Sequence, residues 1–243
     1  MPFYKSITIN NTTTAYFWKI TEDFNTLFRA VQLKDTSLTR LEKMKSESHQ
    51  KGFLAVRMLL QHLGFSDFDL VYDENGKPHL AIESRKSKVK SQEAKEINED
   101  GKDQNLLPFT CKPLPDEINI SISHSFDFSC ICISTDNKVG IDIEIIKPKI
   151  LKIAPRFMDV SHLENLYPEE QIEKATVIWG AKESIFKIKN EKGISFPKHI
   201  FENSFSLAES RCNAELRFNN EIEKFDIQFY KVEDYIFVAA LPN

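Results

Sequence analysis

The spacing of hydrophobic positions changes between a helical and a strand period along the chain. In the first helical segment the apolar residues lie on one stripe, formed by Phe53, Val56, Leu59, Leu60 and Leu63. This spacing predicts a helix over residues 46–63, which Gly64 ends. A second helical pattern covers residues 170–190.

Segments that read as strands, many with apolar and polar residues in alternation, fill most of the remaining chain. They span residues 5–20, 68–72, 118–124, 129–134, 139–145, 205–207, 214–218, 225–230 and 235–240. Turn signals at Asn75-Gly76 and Asp136-Asn137 predict two hairpins, the second between strands 129–134 and 139–145. Because a long helix is followed by strands twice, we predict an α+β fold. Its two similar halves, residues 1–135 and 136–243, each pack a long helix on a small antiparallel sheet.

Residues 83–105 differ from the rest of the chain in their charge density. Twelve of these 23 residues are charged, and the aliphatic ones are Val89, Ala94 and Ile97. A segment with so little apolar area cannot offset its ordering entropy. We therefore predict a mobile surface insertion in the N-terminal half.

Composition narrows the possible partners. Of the 243 residues, 41% are hydrophobic and 28% are charged, and the net charge of −4 argues against a dedicated nucleic-acid binder. The first residues lack a secretion-signal pattern and no long apolar run occurs, so we expect a cytoplasmic protein without membrane contact. The four cysteines have no zinc-site spacing. We expect Cys130 and Cys132 to be buried free thiols on one strand face.

Two carboxylates share one face of the strand 139–145. Asp142 and Glu144 are two positions apart and point the same way, whereas the other face is aliphatic and predicted to be buried. Gly140 adds no side chain on the carboxylate face, which we interpret as room for a ligand. Two carboxylates near one point suit a hard divalent cation. A solvated outer face of the sheet is the alternative.

The second helix carries Glu183 and Lys187 at positions i and i+4, a spacing typical of a surface ion pair. Gly180 weakens that simple interpretation, because a glycine inside a helix costs about 1 kcal/mol relative to alanine. Its presence indicates that another group approaches the backbone there.

Basic and hydroxyl residues add candidate phosphate contacts. Ser123-His124 ends a strand, and Lys77 lies between Gly76 and Pro78 at a turn. Arg57 has apolar neighbours, which suits either an arginine that snorkels to solvent or a phosphate-binding guanidinium. Taken singly, each of these residues also fits a purely structural role.

Two longer motifs together resemble the signature of the 4′-phosphopantetheinyl transferases. They are Val139-Gly140-Ile141-Asp142-Ile143-Glu144 and, about 35 residues later, Trp179-Gly180-Ala181-Lys182-Glu183-Ser184-Ile185-Phe186-Lys187. Gly76-Lys77-Pro78 and Ser123-His124-Ser125 resemble shorter motifs of the same family, in the same order. The subtype resembled is the larger, pseudo-dimeric one. Ile120-Ser121 departs from the family, which has an aromatic residue and asparagine there.

The resemblance implies an enzyme that moves the 4′-phosphopantetheine arm of coenzyme A onto a serine of an apo acyl or peptidyl carrier protein. Adenosine 3′,5′-bisphosphate leaves. It implies that Asp142, Glu144 and Glu183 hold Mg²⁺ or Mn²⁺, with Glu183 as general base, directly or through a water, and Lys187 stabilising the leaving group. The implied coenzyme A contacts are Lys51, Arg57, Lys77, Pro78, Ser123, His124 and Lys187.

Two other functions remain as alternatives at this point. Asp142, Glu144 and Lys147 loosely resemble the acid-acid-lysine arrangement of magnesium-dependent nucleases, although the acidic balance of the chain argues against a nuclease. The other alternative is a catalytically inactive module that binds carrier proteins. The complete set of three acids together with Lys187 argues against it.

Overall fold

The computed structural model describes residues 3–81 and 118–243. The α-helices are α1 Phe24–Ala30, α2 Asp35–Glu42, α3 Glu47–His62, α4 Lys149–Ile153, α5 Pro168–Lys189 and α6 Phe196–His199. The strands are β1 Phe3–Asn10, β2 Thr13–Lys19, β3 Leu70–Tyr72, β4 Pro78–Leu80, β5 Asn119–Ser125, β6 Phe128–Ser134, β7 Gly140–Ile145, β8 Ile200–Glu202, β9 Arg211–Phe218, β10 Glu221–Val232 and β11 Tyr235–Pro242. The predicted insertion at residues 83–105 lies outside the described residues.

The described strands form two main sheets, and each has a long helix against it. One sheet has the order β1-β2-β6-β5, the other has the order β7-β11-β10-β9-β8, and β3 pairs with β4. All strand pairs between described residues are antiparallel. The predicted α+β fold class is confirmed. No helix within the described ranges is long and apolar enough to cross a membrane.

Successive residues of a strand face opposite sides of its sheet, so each sheet packs against a helix on one side and against the other sheet on the other side. The four layers are helix, sheet, sheet and helix. Trp18 in β2 and Ile131 in β6 face α3, whereas their neighbours Phe17 and Cys130 face the second sheet. The rings of Phe17 and Phe237 meet edge to face across this middle layer, 4.8 Å between centroids. The same alternation in β11 turns Ile236, Val238 and Ala240 towards the core beneath α5.

The middle layer joins the two predicted halves through a common core. Strands β2 and β6 contribute to it from one side, and β7 and β11 from the other. The division of the chain into two domains at residues 135 and 136 therefore stays a prediction. Cys130 and Cys132 are buried free thiols in this layer, as expected, and burial raises the pKa of both.

The predicted hairpin between strands 129–134 and 139–145 is wrong. Strand β6 pairs with β2 on one edge and β5 on the other, so no edge is left for β7. The chain instead crosses to the second sheet, where β7 pairs with β11. Antiparallel hairpins therefore depend on which strand edges are free, and the local turn signal does not contain that information.

Two smaller predictions are also wrong. The predicted strand at residues 205–207 is replaced by a 3₁₀ turn, Leu207–Glu209, in which the Ser206 hydroxyl accepts a hydrogen bond from Ala208 N. The connection between β3 and β4 is longer than the predicted two-residue turn. The Asp73 carboxylate stabilises this wider loop by accepting hydrogen bonds from the backbone N–H groups of Asn75 and Lys77 at 2.9 and 2.8 Å.

Candidate active site

Close packing of α5 on the second sheet brings the helix residues to the strand carboxylates. A Cβ placed on Gly180 would lie 2.6 Å from Val238 Cγ2, so the predicted close approach at this glycine is an approach of β11. A Cβ on Gly140 would lie 1.9 Å from the carbonyl oxygen of Ser184. The expectation of ligand space at Gly140 is therefore wrong, because the backbone of α5 fills that space.

Asp142 and Lys187 form an ion pair where β5, β7 and α5 meet. The Lys187 ammonium donates to Asp142 Oδ1 at 2.9 Å, to the Ile141 carbonyl at 2.8 Å and to Ser123 Oγ at 3.2 Å. The Ser123 hydroxyl donates to the same Asp142 oxygen at 2.8 Å. Burial lowers the pKa of Lys187 and the adjacent Asp142 raises it. The net direction of the pKa shift is upward. Lys187 is therefore a cation held at the carboxylates.

Glu183 and Glu144 lie close enough to Asp142 for the carboxylate charges to interact. Burial, followed by the charges of Asp142 and Glu144, raises the pKa of Glu183 to about 7, although Lys187 opposes the shift. Burial and Asp142 also raise the pKa of Glu144, whose carboxylate accepts a hydrogen bond from Ser125 Oγ at 3.1 Å. The solvated carboxylate face considered as an alternative is therefore wrong for Asp142, which is only 4% exposed.

The carboxylates fit a divalent cation by their chemistry but are not gathered around a common point. Within the described ranges, no three His, Cys, Asp or Glu side chains form a group that could hold a metal ion. The buried Asp142 Oδ2 nevertheless has no hydrogen-bond partner, and the raised pKa values of Glu144 and Glu183 indicate unfavourable negative charge. A cation ligated by these oxygens would relieve both conditions.

A cavity of about 230 Å³ is lined by residues of both predicted halves, and Lys187 is one of them. Its lining combines cationic and aromatic side chains with aliphatic and small polar ones, and comprises Arg40, Met44, His49, Phe53, Val56, Arg57, Tyr72, Gly76, Lys77, Pro78, Ile120, Ser121, Ile122, His124, Lys187 and Asn190. The sequence-predicted contacts Arg57, Lys77, Pro78, His124 and Lys187 thus share one cavity. Such a lining suits an anionic ligand with a flat ring.

Two of the predicted phosphate contacts are engaged with protein groups. The Lys77 ammonium donates to the carbonyl of Ile188 at 2.8 Å, and burial lowers its pKa. The Arg57 side chain is 3% exposed and forms an ion pair with Asp67, so it does not snorkel to solvent. Both side chains nevertheless line the cavity.

The remaining predicted contacts differ in where they lie. His124 stacks on His49 with 4.9 Å between ring centroids. Burial, and then His49 and Lys187, lower the pKa of His124 to about 4, so its ring is neutral at pH 7. Ser123 bonds Asp142 and Lys187. Lys51 lies near Asp23 and is not among the cavity-lining residues.

Sequence reasoning missed several residues of the cavity. His49 could have been found, because it is four residues before Phe53 and shares that face of α3. Arg40 lies with its guanidinium 4.9 Å from the ring centroid of Tyr72. Arg40 is on α2 and Tyr72 is on β3, and no spacing in the sequence indicates that the two side chains meet.

Comparison with known proteins finds a family similarity in the C-terminal part of the chain. Residues 138–240 match the sequence profile of the 4′-phosphopantetheinyl transferase superfamily. This range contains Asp142, Glu144, Glu183 and Lys187, the acids and the lysine of the site.

Individual relatives carry the same name. The chain is 36% identical over 91 residues to a 4′-phosphopantetheinyl transferase of Bacillus subtilis, covering 36% of this chain and 39% of that protein. It is 26% identical over 175 residues to a Synechocystis protein provisionally so named, covering 67% of this chain and 58% of the relative. The transferase AcpT of Escherichia coli K12 is 24% identical over 181 residues, 72% of this chain and 75% of AcpT. The chain thus spans less than two thirds of the length of the first two proteins.

Proposed function

We propose, from the match of residues 138–240 to the 4′-phosphopantetheinyl transferase superfamily, that the chain transfers the 4′-phosphopantetheine arm of coenzyme A. The acceptor is a serine of an apo acyl or peptidyl carrier protein, and the cytoplasm is the proposed location. The observation that carries the proposal is the meeting of Asp142, Glu183 and Lys187 beside a cavity that other cations line.

In the proposed reaction the carrier serine oxygen attacks the phosphorus that bears the pantetheine arm. A new O–P bond forms, and the bond from that phosphorus to the bridging diphosphate oxygen breaks. Adenosine 3′,5′-bisphosphate takes the bonding electron pair. The serine proton goes to Glu183, directly or through a water. Ligation of a cation would lower the raised pKa of Glu183 and make it a weaker base, which favours the route through a water.

Lys187 has the position and charge to stabilise the leaving group. Its ammonium is held by Asp142 and by the Ile141 carbonyl, so its charge is fixed before a ligand arrives. Fixed charges of this kind stabilise negative charge as it develops, without reorganisation. Ser123 strengthens the arrangement by bonding both Asp142 and Lys187.

Asp142, Glu144 and Glu183 are the proposed ligands of Mg²⁺ or Mn²⁺. The unpartnered Asp142 oxygen supports this assignment, as do the raised pKa values of the two glutamates. A bound divalent cation supplies neutralisation of charge on phosphoryl oxygens. The comparisons with known proteins favour neither the nuclease nor the inactive binding module.

The test is arm transfer to purified apo carrier proteins, followed by mass spectrometry across a Mg²⁺ titration. Asp142→Asn and Glu183→Gln should each lower the transfer rate by a factor of about 100 or more, because each removes an anionic ligand of the proposed divalent cation. Lys187→Met should lower turnover about 30- to 1,000-fold, equivalent to about 2–4 kcal/mol of transition-state stabilisation.

Glu215→Gln is the matched control, since Glu215 pairs with Arg217 on the second sheet. It should transfer at the unchanged rate. Near-normal rates in both Asp142→Asn and Glu183→Gln, with no altered metal demand, would contradict the proposed function. Cleavage of plasmid DNA in place of transfer would point to the nuclease.

A further inference from the structure

One nitrogen of the Arg57 guanidinium is buried without a hydrogen-bond partner. Nε donates to Asp67 Oδ1 at 2.9 Å, and Nη1 donates to the carbonyl of Phe53 at 3.2 Å. Nη2 has no acceptor among the described residues, although Arg57 lines the cavity. A charged donor left unpaired in a protein interior is costly, so its retention beside the cavity points to a ligand acceptor that binds there.

Asp67 holds this arginine in a single orientation. Its carboxylate is fully buried and accepts hydrogen bonds from Lys34 N and Ser37 Oγ, each at 3.0 Å. Both donors belong to the start of α2, so Asp67 ties that helix to α3. The guanidinium carbon lies 3.4 Å from the ring centroid of Phe53. The planar guanidinium is thus fixed on two edges and one face.

Two other cations that line the cavity, both lysines, are already engaged with protein groups. Lys187 donates to Asp142, Ser123 and Ile141, and Lys77 donates to Ile188. Arg57 therefore differs from these two lysines, because a donor remains available without breaking a protein contact. Arginine also binds phosphate oxygens with defined geometry, which an ammonium does not impose.

We infer that Asp67 is a positioning residue, which orients Arg57 so that Nη2 donates to a phosphate oxygen of the nucleotide part of coenzyme A. The inference rests on the proposed function, because it takes the ligand from there. Asp67 acts through Arg57 and does not touch the ligand. Loss of its charge should weaken binding of the phosphate-bearing nucleotide and leave binding of a nucleoside without phosphate unchanged.

The test is isothermal titration calorimetry with adenosine 3′,5′-bisphosphate, and ligand-observed NMR with adenosine as the phosphate-free probe. Asp67→Asn keeps the side-chain shape and removes the charge, and it should weaken bisphosphate binding about 10-fold. Arg57→Gln should weaken it at least as much. In the Arg57→Gln background, Asp67→Asn should weaken binding no further, because the group through which it acts is gone.

A milder variant guards against loss of folding. Ser37→Ala removes one hydrogen bond to Asp67 and keeps the ion pair, and it should weaken bisphosphate binding about threefold. Ile227→Val, in the fully buried core beneath α5, is the control for a general loss of stability. It should bind the bisphosphate with unchanged affinity.

Three outcomes would overturn the inference: equal loss for bisphosphate and adenosine, multiplicative losses in the double variant, or no bisphosphate binding by the unchanged protein. Failure of the proposed function gives a different result. A chain that binds the bisphosphate in an Asp67-dependent way but modifies no carrier protein contradicts the proposed transfer alone. Normal transfer and normal phosphate selectivity in Asp67→Asn contradict the inference alone.

Discussion

At the scale of single residues, the surroundings of a titratable group decide its charge. Glu183 and His124 are both shifted by burial, and in each case the neutral form is favoured. Lys187 keeps its charge because Asp142 lies beside it. A neutral His124 can bind a phosphate by a hydrogen bond, but it adds no positive charge to the cavity at pH 7.

His124 makes stability depend on pH in a defined window. Its pKa is about 4 in the folded protein against 6.5 for the free side chain. Between pH 4 and 6.5 the unfolded chain therefore binds more protons than the folded protein. The free energy of unfolding therefore rises with pH across the window and falls as pH drops below 6.5. Integrated over this pKa shift, the titration of His124 changes the free energy of unfolding by at most about 3 kcal/mol.

His124→Phe and His124→Gln should both flatten the pH dependence of unfolding between pH 4 and 6.5, as measured by urea titration at several pH values. The first keeps a ring to stack on His49 and the second does not. A common flattening therefore reports the lost titration, and an unchanged slope in both variants would contradict the assigned cause.

At the scale of elements, the site depends on how closely α5 approaches β7. The helix begins at Pro168, a residue suited to the first helical position. It ends at Lys189 and is capped by Asn190, whose φ of 52° is left-handed. Gly140 on β7 and Gly180 within α5 allow the helix and the sheet to approach closely. Lys187 reaches Asp142 because of this close approach.

Gly140→Ala should destabilise the protein by about 3 kcal/mol or more, because the new Cβ meets the backbone of α5 and cannot move aside. Gly76→Ala is the matched comparison: its φ is +82° and open space surrounds it. Strain alone should cost about 1 kcal/mol there. Urea unfolding followed by circular dichroism measures both, and equal costs would contradict the packing argument.

At the scale of the whole molecule, the two sheets share the core between them. Phe17 and Phe237 contact each other across it, and both are fully buried. Loops add to this contact: Lys77 bonds the carbonyl of Ile188, and Asn190 donates to the carbonyl of Asn75 at 3.0 Å. We therefore expect the two halves to unfold together.

The chain has two tryptophans, and the structure places one beside each sheet, Trp18 in β2 and Trp179 in α5. In single-tryptophan variants, Trp18→Phe and Trp179→Phe, the remaining fluorophore reports one half. With Phe237→Ala added to each, both transitions should shift together by about 3–5 kcal/mol. Separate transitions for the two probes would show that the halves unfold independently.

Much of the secondary structure was predictable from periodicity. Helices over residues 46–63 and 170–190 appear as Glu47–His62 and Pro168–Lys189, because an apolar stripe specifies which face of a helix is buried. Alternation likewise identified β5, β9 and β11. The predicted hairpin between β6 and β7 failed, since pairing depends on free strand edges far away in the sequence.

The sequence by itself determined which residue types are available, their periodicity, and the motifs that contain Asp142, Glu144 and Glu183. Only the tertiary structure decided their partners. Lys187 pairs with Asp142, 45 positions away, and not with Glu183 as helical spacing suggested, because α5 lies against β7. Asp67 meets Arg57 because α2, α3 and the following loop pack together. Contacts of this kind follow from the packing of whole elements, and local periodicity does not predict them.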